Sequence, residues 1–162
     1  MQGFWYEIAV KDITQPRQCK CQTSNKTLSA NNNVLYDNFG IECSGSVFYS
    51  NLSFSLTNTK GVFIGKWNGI PIINRFDIPD TVVDVGVDSN EEYTWLIEFQ
   101  CVDAPFGLGI AYYGINFYSR EYDEPSTVQV MEKSAIVHGL GAFIDNGRPL
   151  AIVEHSACNH GH

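Results

Sequence analysis

The sequence predicts an all-β fold of eight antiparallel strands followed by one late helix. Short runs of β-branched and aromatic residues recur along the chain, and Gly, Asn, Asp or Pro residues separate them. After Pro125 the apolar spacing changes from a strand pattern to a helical one. Because no helical stretch separates the strands, a parallel α/β fold is excluded. A sandwich and a closed up-and-down barrel both remain open.

Eight runs of about one strand's length fill the first three-quarters of the chain. They are Trp5–Lys11, Cys19–Leu28, Val34–Cys43, Ser46–Leu56, Val62–Trp67, Thr81–Val87, Tyr93–Val102 and Leu108–Ser119. The connections are short enough for a meander, and Asn68-Gly69 is a strong turn dipeptide. If the strands close into a barrel, its interior can hold one small ligand.

A single amphipathic helix is predicted over about residues 126–144. Ser126 or Thr127 is a suitable cap for its start, and Asn146-Gly147 a suitable stop. The apolar positions follow the spacing of one helical face: Val128, Met131, Ala135, Ile136, Leu140 and Phe143. Leu150–Val153 is then expected to form a short ninth strand.

Composition limits the classes of function. The 162 residues carry a net charge of −8 and are 44% hydrophobic and 13% aromatic. An acidic chain of this kind is a poor match for nucleic acid or an anionic membrane surface, which both need clustered basic residues. No apolar run approaches the ~20 residues of a transmembrane helix, and no signal-peptide pattern opens the chain. We expect one domain over 1–162, with the barrel at about 3–120 and a tail at about 149–162.

Cysteines and glycosylation signals favour a secreted protein. Five Cys are present, and Asn25-Lys26-Thr27 and Asn51-Leu52-Ser53 are acceptor sequons, so Asn25 and Asn51 are predicted glycosylation sites. If the second and third strands form a hairpin about Asn31, Cys19 and Cys43 lie opposite each other within bridging range.

Enzyme signatures are absent from the sequence. There is no G-x-S-x-G, no glycine-rich phosphate loop and no H-E-x-x-H. The tail from His155 to His162 offers imidazole and thiolate ligands for Zn or Cu. A flexible terminus, or a disulfide at Cys158, is the favoured interpretation. No metal site and no required cofactor are therefore predicted.

Three motifs in order along the chain resemble those of the lipocalins. Gly3-Phe4-Trp5 resembles the G-x-W motif of the first strand, and Asp88 with Tyr93 resembles the second motif, a turn leading into a strand. Phe117-Tyr118-Ser119-Arg120 resembles the third, whose Arg ends the eighth strand. Cys158 lies where apolipoprotein-D-like and bilin-binding lipocalins carry a Cys. The resemblance spans nearly the whole chain.

The resemblance implies an eight-stranded antiparallel up-and-down barrel with the helix packed outside. It implies structural roles for Trp5, which closes the barrel floor, and for Arg120, which packs across the indole. It also implies a Cys21–Cys158 disulfide. The remaining thiol, Cys101, is then free, paired between chains or bound to something.

Strand alternation gives a set of inward-facing residues that predicts the ligand site. The set is Tyr36, Asn38, Trp67, Leu96, Glu98, Tyr112, Gly114, Asn116 and Tyr118. An inward Glu98 should bond a ligand N–H, a Tyr hydroxyl or an ordered water; with the register shifted by one, it faces solvent instead. Gly114 is expected to leave space for a ligand between Tyr112 and Asn116, or else to face the helix.

By resemblance, the predicted function is an extracellular carrier of a small hydrophobic ligand. The ligand class is a bilin or carotenoid chromophore, a retinoid, a sterol or a fatty acid. One alternative is a lipocalin-fold enzyme acting on a lipid or pigment, with Glu98 and a Tyr as its ionisable pair. Another is a defence or salivary interaction protein that uses the loops at the open end.

Overall fold

The computed structural model describes residues 1–68, 77–104, 109–122 and 125–158. All eight predicted strands are present. They are β1 (Gly3–Asp12), β2 (Lys20–Leu28), β3 (Val34–Cys43), β4 (Ser46–Leu56), β5 (Val62–Asn68), β6 (Ile78–Val87), β7 (Tyr93–Asp103) and β8 (Ile110–Ser119).

The strands form one closed antiparallel barrel. Each strand pairs with the next along the chain, and β1 pairs with both β8 and β2. The two partners of β1 pair with different parts of it. Gly3–Tyr6 pairs with β2, and Tyr6–Asp12 pairs with β8. A bulge between Glu7 and Ala9 bends the strand between these two halves. The up-and-down barrel predicted from the sequence is confirmed.

The predicted helix packs outside the barrel, on β6, β7 and β8. It consists of α1 (Pro125–Ala135), a π-helical turn (Ile136–Leu140) and α2 (Gly141–Ile144). The interruption follows from Gly139, whose φ of 92° is accessible to glycine but not to a continuous helix. Met131 and Ala135 are fully buried in the apolar cluster beneath it.

Alternation along β8 divides the protein into two layers. Ile115 and Phe117 face outward into the apolar cluster under the helix. Asn116 and Tyr118 face the opposite way, into the barrel, and are also buried. The main apolar core therefore lies between barrel and helix, which leaves the barrel interior available for polar groups. None of the described helices is long and apolar enough to cross a membrane.

A short strand, β9 (Ala151–Ile152), pairs with the second half of β1. It lies within the predicted segment Leu150–Val153. Beyond it, Cys158 is bonded to Cys21, so the tail is covalently tied to β2. This predicted disulfide is confirmed.

The second predicted disulfide, Cys19–Cys43, is also confirmed, with a Cα–Cα distance of 4.5 Å. Most of the β2–β3 hairpin has a register in which Lys26 lies opposite Asp37. A bulge at Cys21 and Gln22, with Cys21 at a φ of 57°, shifts the pairing by one residue. This shift brings Cys19 opposite Cys43.

The remaining cysteine and the two sequons lie at the surface or near it. Cys101 is half-buried and makes no disulfide. Asn25 and Asn51 are exposed. Their side chains are accessible to a glycosyltransferase, and their modification stays a prediction.

Candidate functional site

One end of the barrel is closed by Trp5 and Arg120. The Trp5 side chain is fully buried, and the guanidinium carbon of Arg120 lies 3.5 Å from the centre of the indole. Arg120 Nη2 also donates to the Gln2 carbonyl at 2.7 Å, and Arg120 Nη1 donates to the Phe4 carbonyl. The cation–π contact and these hydrogen bonds fix the floor at this end of the barrel.

A buried ammonium lies above this floor. Lys26 is fully buried, and its Nζ lies 2.9 Å from Asp37 Oδ2 and 3.0 Å from Glu98 Oε1. Ser24 Oγ lies within hydrogen-bonding distance of both Asp37 oxygens, at 2.8 and 2.9 Å. Lys26 reaches Asp37 because the two residues are directly opposite in the β2–β3 hairpin. A charge buried at this depth is tolerable only with such partners.

Aromatic rings complete the surroundings of Lys26. Its Nζ lies 4.9 Å from the centre of the Tyr118 ring and 5.5 Å from that of Phe54. Burial lowers the pKa of Lys26, but the carboxylates of Asp37 and Glu98 outweigh burial and raise that pKa above its ordinary value. Lys26 is therefore a permanent cation of the barrel interior.

Glu7 is the third buried carboxyl group, and among the described residues no lysine or arginine forms a salt bridge with it. Its Oε1 accepts hydrogen bonds from Asn116 Nδ2 at 2.7 Å and from Gln15 Nε2 at 3.2 Å. Its Oε2 has no hydrogen-bond partner among the described residues. Burial raises the pKa of Glu7 to about 8, against the smaller opposing effect of the Asn116 hydrogen bond.

Asp80 is the fourth buried carboxyl group and, after Glu7, the second without a salt bridge in the described part of the chain. It is 2% exposed, and its Oδ1 has no hydrogen-bond partner in the described part of the chain. Burial, followed by repulsion from Glu98, raises the pKa of Asp80 well above its ordinary value. The attraction of Lys26 and, to a smaller extent, a hydrogen bond from the Gln100 side chain act in the opposite direction.

The described barrel interior thus has an excess of acidic groups. Among the described residues, the four buried carboxyl groups Glu7, Asp37, Asp80 and Glu98 share the barrel interior with the ammonium of Lys26. The other buried lysine, Lys11, donates to the Ile144 carbonyl on the helix side. Burial also raises the pKa of Glu98, despite the attraction of Lys26. Protonation of the excess carboxyl groups relieves their repulsion in the empty protein.

A cavity of about 260 Å³ lies at the mouth, above the charged layer. Its walls are largely apolar, with Phe39, Ile41, Phe48 and Leu52 on β3 and β4. Polar side chains form its remaining surface: Asp12, Thr14, Gln15, Ser50, Gln100, Asn116 and Tyr118. Gln15 and Asn116 both donate to the carboxyl group of Glu7, so Glu7 lies directly behind the cavity wall.

Most of the predicted site residues on β7 and β8 do lie inside the barrel. Asn116 and Tyr118 line the mouth cavity. Leu96 lies deeper, packed with Trp5 in the floor cluster. Glu98 is buried beside Lys26, which takes the place of the ligand N–H, tyrosine or water expected as its partner. Contact of any of these residues with a ligand stays a prediction.

The prediction for β3 was wrong by one residue. Tyr36 is 48% exposed and Asn38 is also exposed, so both lie on the outer face. The inward residues of β3 are Leu35, Asp37, Phe39 and Ile41. Alternation alone cannot choose between the two faces of this strand, because placing Asp37 inside looks unfavourable until Lys26 is known to face it. The side chain of Trp67 lies outside the described residues.

Gly114 does not leave space for a ligand. A Cβ added to Gly114 would lie 2.7 Å from the Tyr112 hydroxyl and 2.8 Å from Asp12 Oδ2. Tyr112 donates to that same Asp12 oxygen at 2.7 Å. The space beside Gly114 is therefore filled by the Tyr112–Asp12 hydrogen bond, not by the cavity. The alternative of a Gly114 that faces the helix is also wrong.

Sequence reasoning missed Lys26, Asp37, Asp80 and Glu7. For two of them a signal existed: in the register that the hairpin adopts, Lys26 and Asp37 are opposite charges at facing positions. The symmetric pairing about Asn31 places Tyr36 opposite Lys26 instead. Glu7 and Asp80 are isolated acidic residues in apolar runs, and the sequence offers no partner for either.

A metal centre is not evident in the described part of the protein, where no group of three or more His, Cys, Asp and Glu side chains is arranged to hold an ion. Cys158 is bonded to Cys21 and so is not available as a thiolate ligand. Residues 159–162 of the His-rich tail lie outside the described residues.

Comparison with solved structures identifies the fold. Lobster apocrustacyanin A1 superimposes with a TM-score of 0.68 at 15% identity, covering 97% of this chain and 79% of that one. The siderocalin Ex-FABP superimposes with a TM-score of 0.62 at 14% identity, covering 97% and 96%. Both are lipocalins. This chain has the lipocalin fold.

The lipocalin fold is also that of H1 crustacyanin from the lobster Homarus americanus, which matches with a TM-score of 0.67 at 17% identity over 96% of this chain and 78% of that one. No protein-family model matches the chain, and no curated protein matches it either. At these identities the likeness shows the fold alone, so the mouth cavity of this calyx has to be interpreted from its own residues.

Proposed function

We propose that the protein binds and carries a small amphipathic molecule in the mouth of the calyx. The observation that carries this proposal is the mouth cavity, with apolar walls on β3 and β4 and polar groups on β7 and β8. Apolar lining with a few convergent polar groups is the usual character of a small-molecule site. The solved siderocalin neighbour is itself described as having dual ligand specificities.

The size of the cavity favours a small ligand. At about 260 Å³ it lies just below the range of roughly 300–1,000 Å³ that is usual for small-molecule sites. The ion pairs of Lys26 fill the barrel below it, so an extended ligand cannot go deeper without disrupting them. Within the predicted ligand class, we therefore favour a compact molecule over a bilin or carotenoid. A visible absorption band in protein purified from its natural source would show a pigment instead.

An extracellular carrier role agrees with the two disulfides, because disulfides persist in oxidising compartments. Secretion and glycosylation are part of the proposal. Mass spectrometry of the native protein tests both, since Asn25 or Asn51 carries a glycan only if the chain has passed through the secretory pathway.

Filling the cavity tests the carrier proposal. Ser50 lines the cavity from β4, whereas Ser55 lies exposed on the outer face of the same strand. We expect Ser50→Trp to weaken binding of the neutral fluorescent probe N-phenyl-1-naphthylamine at least about tenfold, because the indole replaces the probe's apolar contacts. Ser55→Trp is the matched control and should bind as the unmodified protein does. Equal affinities in all three proteins, or no binding at all, would contradict the proposal.

A further inference from the structure

We infer that the ligand of the mouth cavity carries a positive charge, and that a protonated primary amine on a small apolar body is the chemical class that fits. This inference rests on the proposed carrier function and adds the identity of the polar end of the ligand. Three observations carry it: the excess of buried carboxyl groups, the unpartnered buried oxygens, and the hydrogen bonds that connect Glu7 and Asp80 to side chains of the cavity wall.

The charge balance of the barrel interior is the first observation. Lys26 pairs with Asp37 and Glu98, and in the described part of the chain neither Glu7 nor Asp80 forms a salt bridge of its own. Burial favours the protonated form of both acids in the empty protein. A cation in the cavity would favour their ionised form and gain the attraction of the carboxylates, whereas an anionic ligand such as a fatty-acid carboxylate would gain no such attraction.

The unpartnered polar atoms are the second observation, and they are independent of the charge count. In the described part of the chain, the buried side-chain atoms without a hydrogen-bond partner are Glu7 Oε2, Gln15 Oε1, Gln22 Oε1, Asp80 Oδ1 and Asn116 Oδ1. All five are acceptors when the two acids are ionised. A buried acceptor without a donor costs about 1–3 kcal/mol, so a ligand that brings N–H donors gains where an apolar ligand does not. An ammonium group brings three donors.

The third observation is how the cavity wall connects to the buried acids. Asn116 lines the cavity and is 3% exposed; its Nδ2 donates to Glu7 Oε1 at 2.7 Å, while its Oδ1 has no partner. A carboxylate bound to the N–H end of an amide polarises the carbonyl end and makes it a better acceptor. When a bound cation favours the ionised form of Glu7, Asn116 therefore presents the negative charge of Glu7 to the cavity.

Gln100 gives Asp80 a parallel connection. Its side chain lines the cavity and hydrogen-bonds the Asp80 carboxyl group. The side-chain amides of Asn116 and Gln100 in the cavity wall are thus each hydrogen-bonded to a buried acid. Glu7 and Asp80 act on the ligand through these amides and do not touch it. The amide of Asn116 makes the direct contact with the ligand.

A pair of ligands with the same shape and different charge tests the inference. Calorimetry at pH 7.5 would compare 2-phenylethylamine, which is protonated, with 2-phenylethanol, which is neutral and nearly identical in size. We expect the amine to bind at least tenfold more tightly. In Glu7→Gln and in Asp80→Asn this preference should fall several-fold, and in the double variant it should disappear while binding of the alcohol is retained. Glu91→Gln, which removes an exposed charge far from the cavity, is the control.

The outcomes separate this inference from the carrier proposal. Equal affinity for amine and alcohol overturns the inference and leaves the carrier proposal standing. Absence of binding for both ligands and for N-phenyl-1-naphthylamine overturns both. A preference for the amine that persists in the double variant also overturns the assigned role of the two acids.

A measurement on the unmodified protein covers the case in which a variant fails to fold. Titration of 2-phenylethylamine, followed by nuclear magnetic resonance, should shift the side-chain amide signal of Asn116 more than that of the exposed Asn51. Equal shifts, or none, would overturn the inference.

Discussion

Lys26 Nζ lies 3.0 Å from Glu98 Oε1, although 72 positions separate the two residues and both are buried inside the barrel. With Asp37, this pair links β2, β3 and β7 across the interior. Desolvation costs buried ions several kcal/mol each, and mutual attraction repays this only with good geometry. The pair is therefore weak evidence for stability, but removal of one partner is costly because it leaves a charge buried alone.

We predict that Lys26→Met destabilises the fold by about 3–5 kcal/mol, since Asp37 and Glu98 then have no cation. Urea denaturation measures the loss. Lys20→Met is the control, because Lys20 also pairs with a carboxylate, Glu42, at 3.3 Å but is 35% exposed. Partly exposed pairs contribute at most about 1 kcal/mol. Similar losses in the two variants would contradict the assigned environment of Lys26.

Removal of one acid should partly restore the stability of Lys26→Met. Lys26→Met with Glu98→Gln leaves one fewer uncompensated carboxylate, so it should be more stable than Lys26→Met alone. In the protein with Lys26 present, Glu98→Gln should be destabilising. A double-mutant cycle built from these four proteins measures the coupling, and additive losses would show that the 3.0 Å contact does not exist in solution.

The raised pKa of Glu7 predicts a pH dependence of stability. Its pKa in the folded protein is about 8, against 4.5 in the unfolded chain, so the folded state binds the extra proton between these values. Stability contributed by this group is present below about pH 4.5 and falls as the pH rises towards 8, by at most ~1.4 kcal/mol per pH unit. The charged groups that act on Glu7 are Asp12 and Glu98.

Glu7→Gln should remove this contribution. Urea denaturation at pH 5.5 and 8.5 should show a smaller loss of stability with pH in the variant than in the unmodified protein. The other titratable groups are the same in both proteins, so the difference between the two profiles isolates Glu7. Profiles with the same slope would show that Glu7 is ionised throughout this range, against the effect of its burial.

The sequence predicted the barrel well and its interior poorly, for a physical reason. Strand existence depends on local patterning, which Thr81–Val87 and its equivalents show clearly. The Cys19–Cys43 disulfide was predicted from a symmetric hairpin, and it forms because the bulge at Cys21 supplies the one-residue shift. The inward face of β3 was not predictable in the same way, since it depends on an ion pair between neighbouring strands.

Energetic rules for single residues also fail where charges compensate each other. A rule that keeps carboxylates out of an apolar calyx is sound for an isolated group. It fails for Asp37 because Lys26 and Ser24 lie within hydrogen-bonding distance. Alternation along β7 correctly placed Glu98 inside. The pattern of one strand could not identify its partner, because Lys26 lies on β2.

The two disulfides should differ in their contribution to stability. Cys21–Cys158 closes a span of 137 residues and Cys19–Cys43 one of 24. The chain-entropy model gives about 5 kcal/mol for the longer loop and about 3 kcal/mol for the shorter. Paired Cys→Ser substitutions followed by urea denaturation should therefore be costlier at 21 and 158. Cys101→Ser is the control and should change stability little, because Cys101 makes no disulfide.

Substitution of Gly114 is the last test, because a role in packing and a role in lining the cavity predict different effects on stability and on probe affinity. Gly114→Ala places a methyl group 2.7 Å from the Tyr112 hydroxyl and 2.8 Å from Asp12 Oδ2, so their hydrogen bond must shift. We expect a loss of about 1–2 kcal/mol in the free energy of unfolding, comparable to a disturbed buried hydrogen bond, with affinity for N-phenyl-1-naphthylamine nearly unchanged. In a Tyr112→Phe background the hydroxyl is absent, so the same Gly114→Ala substitution should cost less. If the space beside Gly114 belonged to the ligand, the substitution would instead lower probe affinity while stability stayed constant, and the Tyr112→Phe background would make no difference.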